Sequence, residues 1–231
     1  PTLFKVNAKT GAKIKTLDVS TVPASGSRVA LASIRSLGGK LIGSNSATST
    51  HSLKVYLWDD ENSAPVLWME DATHGGITVG DIMSVSGDLY NGRIWFSDGN
   101  KVLYYTVDDG VCDDTPTIIN LTKAGAAYGV GSINGSVSII PNTDGSFWAI
   151  GKDKYPVRFN ASGEWQEEFS SSAVVGGGVH GTSGCFFEFG DKKFAALSTY
   201  LCKTSTTLSE GALSLIDITG GIASAVNKGV Y

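Results

Sequence analysis

The chain has 231 residues, a formal net charge of -4 and a pI of about 5.3, with 42% hydrophobic and 17% charged residues. No stretch clusters the Lys and Arg needed to displace counterions from phosphates, which excludes a nucleic-acid surface. No run of about eighteen apolar residues exists to cross a bilayer as a helix. Twenty-nine Gly against two Met, with much Ser and Thr, favour many short strands joined by tight turns over long helices.

Taken in order, Leu3-Phe4-Lys5-Val6 and Ala12-Lys13-Ile14-Lys15-Thr16-Leu17 alternate apolar and polar positions around a turn containing Gly11, the pattern of a β-hairpin. A second unit follows. Val29 to Ile34 reads as a buried inner strand, Gly38-Gly39 turns the chain, and Leu41-Ile42-Gly43, Leu53 to Trp58 and Pro65 to Trp68 supply three more strands. The third unit comprises Ile82 to Val85, an Asn91-Gly92 hairpin turn, Arg93 to Phe96, a turn at Asp98-Gly99-Asn100, Val102 to Val107, and Thr117 to Ile119. The fourth comprises Val137 to Ile140, Phe147 to Ile150, Val157 to Phe159 and Trp165 to Phe169. The fifth comprises Cys185 to Phe189, Phe194 to Ser198, a longer loop through Ser209, Leu213 to Asp217, and a last strand from Ile222 onward.

The recurrence has a period of roughly fifty residues. A marker Asn or Asp ends the third strand of each unit, at Asn7, Asp59, Asp108, Asn160 and Asp217. A single four-stranded sheet cannot bury both faces unless similar sheets stack beside it. The expected fold is therefore all-β, a β-propeller of four-stranded antiparallel blades in about five units (approximately 1–20, 28–72, 77–122, 134–170 and 182–231) whose first blade is half built. The competing β-sandwich would show irregular strand spacing and no fixed order of turn types.

Asn7-Ala8-Lys9-Thr10-Gly11-Ala12-Lys13-Ile14-Lys15-Thr16-Leu17 resembles the outer hairpin of surface-layer and quinoprotein-like propeller repeats. Ile94 to Tyr105 is similar to the repeat of NHL-type propellers. As a whole, the loosely repeating Trp-rich units resemble exported propeller lipoproteins of unknown function from Bacteroidetes. That resemblance implies export to the cell surface or periplasm and carries no activity over. The Trp docking motif of quinoprotein propellers, the aspartate-box turn of sialidases and the paired landmarks of WD repeats are missing.

Pro1-Thr2-Leu3 is neither an initiator Met nor a signal peptide, so the chain reads as processed or cut from something longer. Cys112, Cys185 and Cys202 are an odd set with no metal-ligand spacing. Hairpin register would not place Cys185 opposite Cys202. Three sequons, at Asn120, Asn134 and Asn160, are within what an Asn-, Ser- and Thr-rich chain yields by chance. Gly176-Gly177-Gly178 opens no helix and so is no phosphate cradle.

Loops entering the innermost strands of a propeller converge at one mouth of its channel, and here they contain Arg28, His74, Tyr128 and His180. Imidazoles there could move a proton or hold a metal. Equally, each His could cap its loop, and two His without a third ligand assign no metal. The acidic turns Asp59-Asp60-Glu61, Asp108-Asp109 and Asp113-Asp114 lack the spacing of a calcium loop. Trp165, between Gly163-Glu164 and Gln166-Glu167, is the Trp expected to be exposed and able to stack on a sugar ring. No nucleophile elbow, P-loop or zinc-protease helix is present. The expected function is non-enzymatic: an exported propeller that binds a glycan or protein partner, with no cofactor. Two alternatives stand beside it. One is a hydrolase or lyase acting on polysaccharide through His74 and His180, and the other a scaffold subunit docking through the edge of the half-built blade.

Overall fold

The computed structural model describes residues 2–23, 29–48, 50–78, 82–132, 137–152, 154–170, 179–204 and 207–230, with the backbone alone for 179–183 and 199–212. Strands dominate. In chain order they are β1 (Leu3–Val6), β2 (Lys13–Leu17), β3 (Ser33–Leu37), β4 (Lys40–Ser44), β5 (Leu53–Trp58), β6 (Val66–Asp71), β7 (Ser84–Gly87), β8 (Asn91–Ser97), β9 (Lys101–Asp108), β10 (Val111–Cys112) and β11 (Thr117–Asn120). There follow β12 (Thr122–Lys123), β13 (Ala126–Ala127), β14 (Ser138–Pro141), β15 (Phe147–Ile150), β16 (Val157–Phe159), β17 (Trp165–Glu168), β18 (Val179–Phe189), β19 (Lys192–Thr204), β20 (Thr207–Asp217) and β21 (Val226–Val230). Two short 3-10 turns, at His74–Gly76 and Ile222–Ser224, are the helical elements among the described residues.

Each larger sheet is a meander of consecutive antiparallel strands: β3-β4-β5-β6, β7-β8-β9 with β10 and β11 both on β9, β14-β15-β16-β17, and β18-β19-β20-β21. Strands β1 and β2 form a two-stranded sheet, as do β12 and β13. The polar turns hold these meanders in register through side-chain oxygens that accept from the backbone two or three residues on. Asn7 Oδ1 accepts from the Lys9 and Thr10 amides, Asn160 Oδ1 from those of Ser162 and Glu164, and Asp217 Oδ1 from that of Thr219. In the second unit the cap is Asp60, which binds the Asn62 amide at 2.6 Å, while Asp59 pairs with Lys40.

Four local expectations are corrected. The expected Asn91-Gly92 turn lies inside β8. The chain turns instead at Asp88 to Tyr90, because Asp88 Oδ1 caps the Tyr90 and Asn91 amides and Gly87 takes φ +74° opposite Gly92. The first strand of the second unit begins at Ser33, not Val29, since the two-residue Gly38-Gly39 turn sets Leu37 against Lys40 and Ser33 against Ser44. The longer loop expected between Ser198 and Ser209 is strand, with β19 and β20 paired out to Thr204 and Thr207. The fifth unit's last strand starts at Val226, Ile222–Ser224 being a 3-10 turn.

The chain divides into two compact units, residues 1–95 with 104–117, and residues 96–103 with 118–231. In the first unit, the β1-β2 hairpin packs on the β3–β6 sheet through Leu17, Val22, Tyr56 and Trp58, flanked by Leu3, Leu31, Ile34 and Leu41. The Trp58 indole N–H donates to the Asp18 carbonyl at 2.9 Å, which locks the largest side chain of that core. Gly43 admits this packing. A Cβ there would meet Leu31 Cδ1 at 2.6 Å and Ile34 Cδ1 at 2.8 Å.

In the second unit all four residues of β15 are buried, as a strand covered on both faces must be. Trp148 joins Ile150, Phe169, Ala195, Leu197 and Ile216 in the cluster between this sheet and the β18–β21 sheet. On the other face Phe147 stacks on Phe159, centroids 5.7 Å apart. Within each unit, the first strands of neighbouring sheets lie side by side, β3 by β7 and β14 by β18.

Candidate functional site

Tyr128 and Trp165, two of the residues singled out above, are brought together in the second unit by a lysine that the sequence reading passed over. The β12-β13 hairpin closes through Ala124 at φ +51° and Gly125 at φ +79°, pairing Thr122 with Ala127 and Lys123 with Ala126. Thr122 also bridges to Glu164, its amide donating to the Gly163 carbonyl at 2.8 Å. This clamp fixes the hairpin beside β17. Gly163 allows it, because a Cβ there would fall 2.3 Å from the Asn120 carbonyl oxygen.

So held, Lys123 places its ammonium 3.9 Å from the Trp165 ring centroid and 5.4 Å from that of Tyr128, both cation–π distances. Lys154 approaches the Tyr128 ring at 5.5 Å. The Tyr128 hydroxyl donates to Glu168 Oε2 at 3.1 Å. Burial, then the Glu168 charge and this hydrogen bond, push the Tyr128 phenol up to about 12, so it stays a neutral donor. The Trp165 indole N–H is buried and has no partner. Trp165 and Tyr128 are both half-buried, so Trp165 is less open than expected, whereas Lys123 is exposed.

Glu167 is tied to Arg158 at 3.2 Å, whereas Glu164 faces only the neutral Asn160 amide group and keeps its charge, so Lys123 and Lys154 stand with Glu164 and Glu168. Two aromatic rings with an ammonium held over them can take a ring-shaped ligand that bears an anion. The Tyr128 phenol, moved away from the working range, is no general acid or base at neutral pH.

His74 is placed differently. It is 3% exposed and sits in the 3-10 turn after β6 with φ +33°, a left-handed conformation that is strained for a residue with a Cβ. Its Nε2 lies 3.0 Å from the Thr48 carbonyl oxygen, an acceptor only, so Nε2 donates there, while Nδ1 is buried with no partner among the described residues. Thr48 also faces His51, whose Nδ1 is 3.0 Å from the Thr48 hydroxyl. The turn hangs on Asp71, which accepts from the Thr73 amide at 2.7 Å, the Thr73 hydroxyl at 2.9 Å and the Tyr105 hydroxyl at 2.9 Å. Burial pushes the Asp71 carboxyl up, but the Thr73 and His74 amides and the two hydroxyls outweigh it and hold the group below its ordinary value. His74, with Ala72, Thr73, Gly76, Ile77 and Thr78, lines a recess of about 230 Å³. Its placement is that of a loop clamp.

Arg28 lies outside the described residues, and His180 is described by its backbone alone, in β18 opposite Tyr200. Tyr128 is directed at Glu168 on β17, the last strand of its sheet. Cys185 is a free thiol facing Ala196 across β19, and no group of three metal-ligating side chains occurs among the described residues. No helix of the described residues is long and apolar enough to cross a membrane.

No family model matches the sequence, and no curated protein matches it either. Among solved structures, the fold is similar to the crystal structure of a DUF4623 family protein from Bacteroides eggerthii, with a TM-score of 0.68 and 16% identity over 90% of this chain. The chain spans under half of that neighbour, 46% of its length. At this identity the likeness is one of fold, that of an all-β protein.

Proposed function

We propose that the chain belongs to an exported β-propeller that binds, without catalysis, a glycan carrying carboxylate groups, and that the Lys123, Tyr128 and Trp165 cluster takes the sugar. The propeller reading is supported by meanders of consecutive strands, by the side-by-side first strands within each unit, and by a β15 covered on both faces. Export and a place at the cell surface, with or without a lipid anchor, rest on the Bacteroidetes neighbour and on the resemblance of the repeats.

The single observation that carries the ligand assignment is the Lys123 ammonium lying over the Trp165 and Tyr128 rings. A uronic acid satisfies both halves of that pairing, its carboxylate meeting the ammonium and its apolar face meeting an indole. A polysaccharide-cleaving enzyme working through His74 is disfavoured by the burial of that imidazole and its hydrogen bond to Thr48.

Affinity electrophoresis in gels containing polygalacturonate or dextran tests this. Retardation is expected in polygalacturonate only, and Trp165→Ala should weaken it by roughly tenfold, equivalent to about 1.4 kcal/mol. Lys123→Met, which keeps the stem and removes the charge, should do the same without loss of fold by circular dichroism. Equal retardation of all three proteins would remove the cluster from the function, and release of reducing ends would replace binding by catalysis.

A further inference from the structure

We infer that the surface formed in the first unit by β6 and the turns at 88–90 and 109–111 docks a basic segment of another protein, one in which lysine or arginine alternates with apolar residues. Val66, Leu67, Tyr90 and Val111 are between 50% and 71% exposed there. Hydrogen bonds tie their supports together. The Trp68 indole N–H donates to the Gly110 carbonyl at 3.0 Å, and the Gly110 amide donates to the Leu89 carbonyl at 2.7 Å, so β6, the turn after β9 and the turn after β7 form one platform. Asp88 Oδ1 accepts from the Tyr90 and Asn91 amides and fixes the turn that presents the Tyr90 ring. Apolar groups held out on backbone that is already ordered can be covered at little cost in chain entropy.

Charge then selects the occupant. Asp88, Asp108, Asp109, Asp113 and Asp114 flank these apolar residues in the same turns, and all are exposed. The ion pairs of this unit, Lys5 with Glu61, Lys40 with Asp59 and Lys54 with Glu70, use none of them. Arg93, a cation close by in the sequence, lies over the Tyr104 ring at 4.5 Å and is in no ion pair among the described residues. The negative field reaches inward as well: burial first, then the Asp113 and Asp114 charges, push the Cys112 thiol up to about 12. Open apolar side chains beside uncompensated carboxylates fit a partner that brings cations and apolar groups together.

Other occupants fit less well. A second copy of the chain meeting this surface about a two-fold axis would set the same carboxylates against one another. An anionic lipid surface is repelled in the same way. So is a polyuronate, which makes this surface different in chemistry from the Lys123, Tyr128 and Trp165 cluster and independent of the function proposed for it.

The test titrates the chain with a fluorescent peptide alternating Lys and Leu, read by anisotropy, and maps the contact by amide hydrogen exchange. Protection is expected at residues 66–68, 88–90 and 109–111. Peptides alternating Lys with Ser, or Glu with Leu, should bind roughly tenfold more weakly or worse, since each lacks one half of the match. Tyr90→Ser combined with Val111→Ser should weaken the Lys-Leu peptide by roughly tenfold, and Asp113→Asn combined with Asp114→Asn by roughly fivefold, with circular dichroism unchanged. Glu188→Gln combined with Asp191→Asn removes as much negative charge from the second unit and should leave the affinity as it was. Equal weakening by that control pair would reduce the effect to net charge and overturn the inference. So would protection confined to other parts of the chain, equal binding of the Lys-Ser or Glu-Leu peptide, or no binding of the Lys-Leu peptide.

Discussion

The β14–β17 sheet and the β1-β2 hairpin carry similar residue types in very different surroundings. Phe147 on β15 is 0% exposed and stacked on Phe159, whereas Phe4 on β1 is 48% exposed, with the Lys13 ammonium over its ring at 4.4 Å. Sequence alternation assigns both to strands; neighbours alone decide what each is worth. A strand with cover on both faces can be apolar throughout, as Phe147-Trp148-Ala149-Ile150 is, while β2, with one cover, buries Leu17 and leaves Ile14 57% exposed.

One substitution made in both places is the sharpest check. Phe147→Ala should cost about 4 kcal/mol, a fully buried aromatic lost with its cavity, measured by urea denaturation. Phe4→Ala should cost at most about 0.5 kcal/mol, as an exposed position does. Comparable losses would end the contrast between closed and open sheets. The next largest effect is expected at Gly151, where a Cβ would lie 2.3 Å from the carbonyl oxygens of both Val130 and Gly131, backbone atoms that cannot swing aside. Gly151→Ala should therefore cost about 3 kcal/mol by overpacking, seen as a lowered denaturation midpoint.

A smaller effect, in the first unit, depends on pH. Because the folded Asp71 carboxyl lies below its ordinary value, its contribution is complete above the unfolded carboxylate pKa of about 3.9 and is lost as pH falls through the lower folded value. Tyr105→Phe removes one donor to Asp71 and should cost about 1 kcal/mol at neutral pH, shrinking as the carboxylate protonates. A loss that is constant from neutral pH down to full protonation would mean that the hydroxyl serves something other than the carboxylate.

Much of the strand pattern was legible because Asn and Asp at turns act over two or three residues, within reach of a sequence window. Asn7, Asp98, Asn160 and Asp217 sit where the turns were expected, and each accepts from backbone amides just beyond it. The Asn91-Gly92 turn failed because two acceptable turns lay three residues apart, and Asp88 offers a cap that Asn91 does not. Of the candidate site, Trp165 was marked by its aromatic ring among polar neighbours and Tyr128 by its place in a loop entering an inner strand, but Lys123 and Glu168 were not marked. Lys123 acts through a hairpin of two-residue strands closed by Ala124-Gly125, and Ala in a left-handed turn leaves no signature that Asn would. The one trace in the sequence was Gly125 itself, a few residues after Thr117–Asn120.

The meander order has a bearing on how the protein reaches its native state. No strand of the β3–β6, β14–β17 or β18–β21 sheets waits for a partner from a distant part of the chain, so each sheet can close while the next is still being synthesised. Loop-closure entropy stays small at every step, and a partly delivered chain exposes one sheet face at a time instead of a whole unformed core. For a polypeptide this rich in strands, that ordering is itself a defence against aggregation during synthesis.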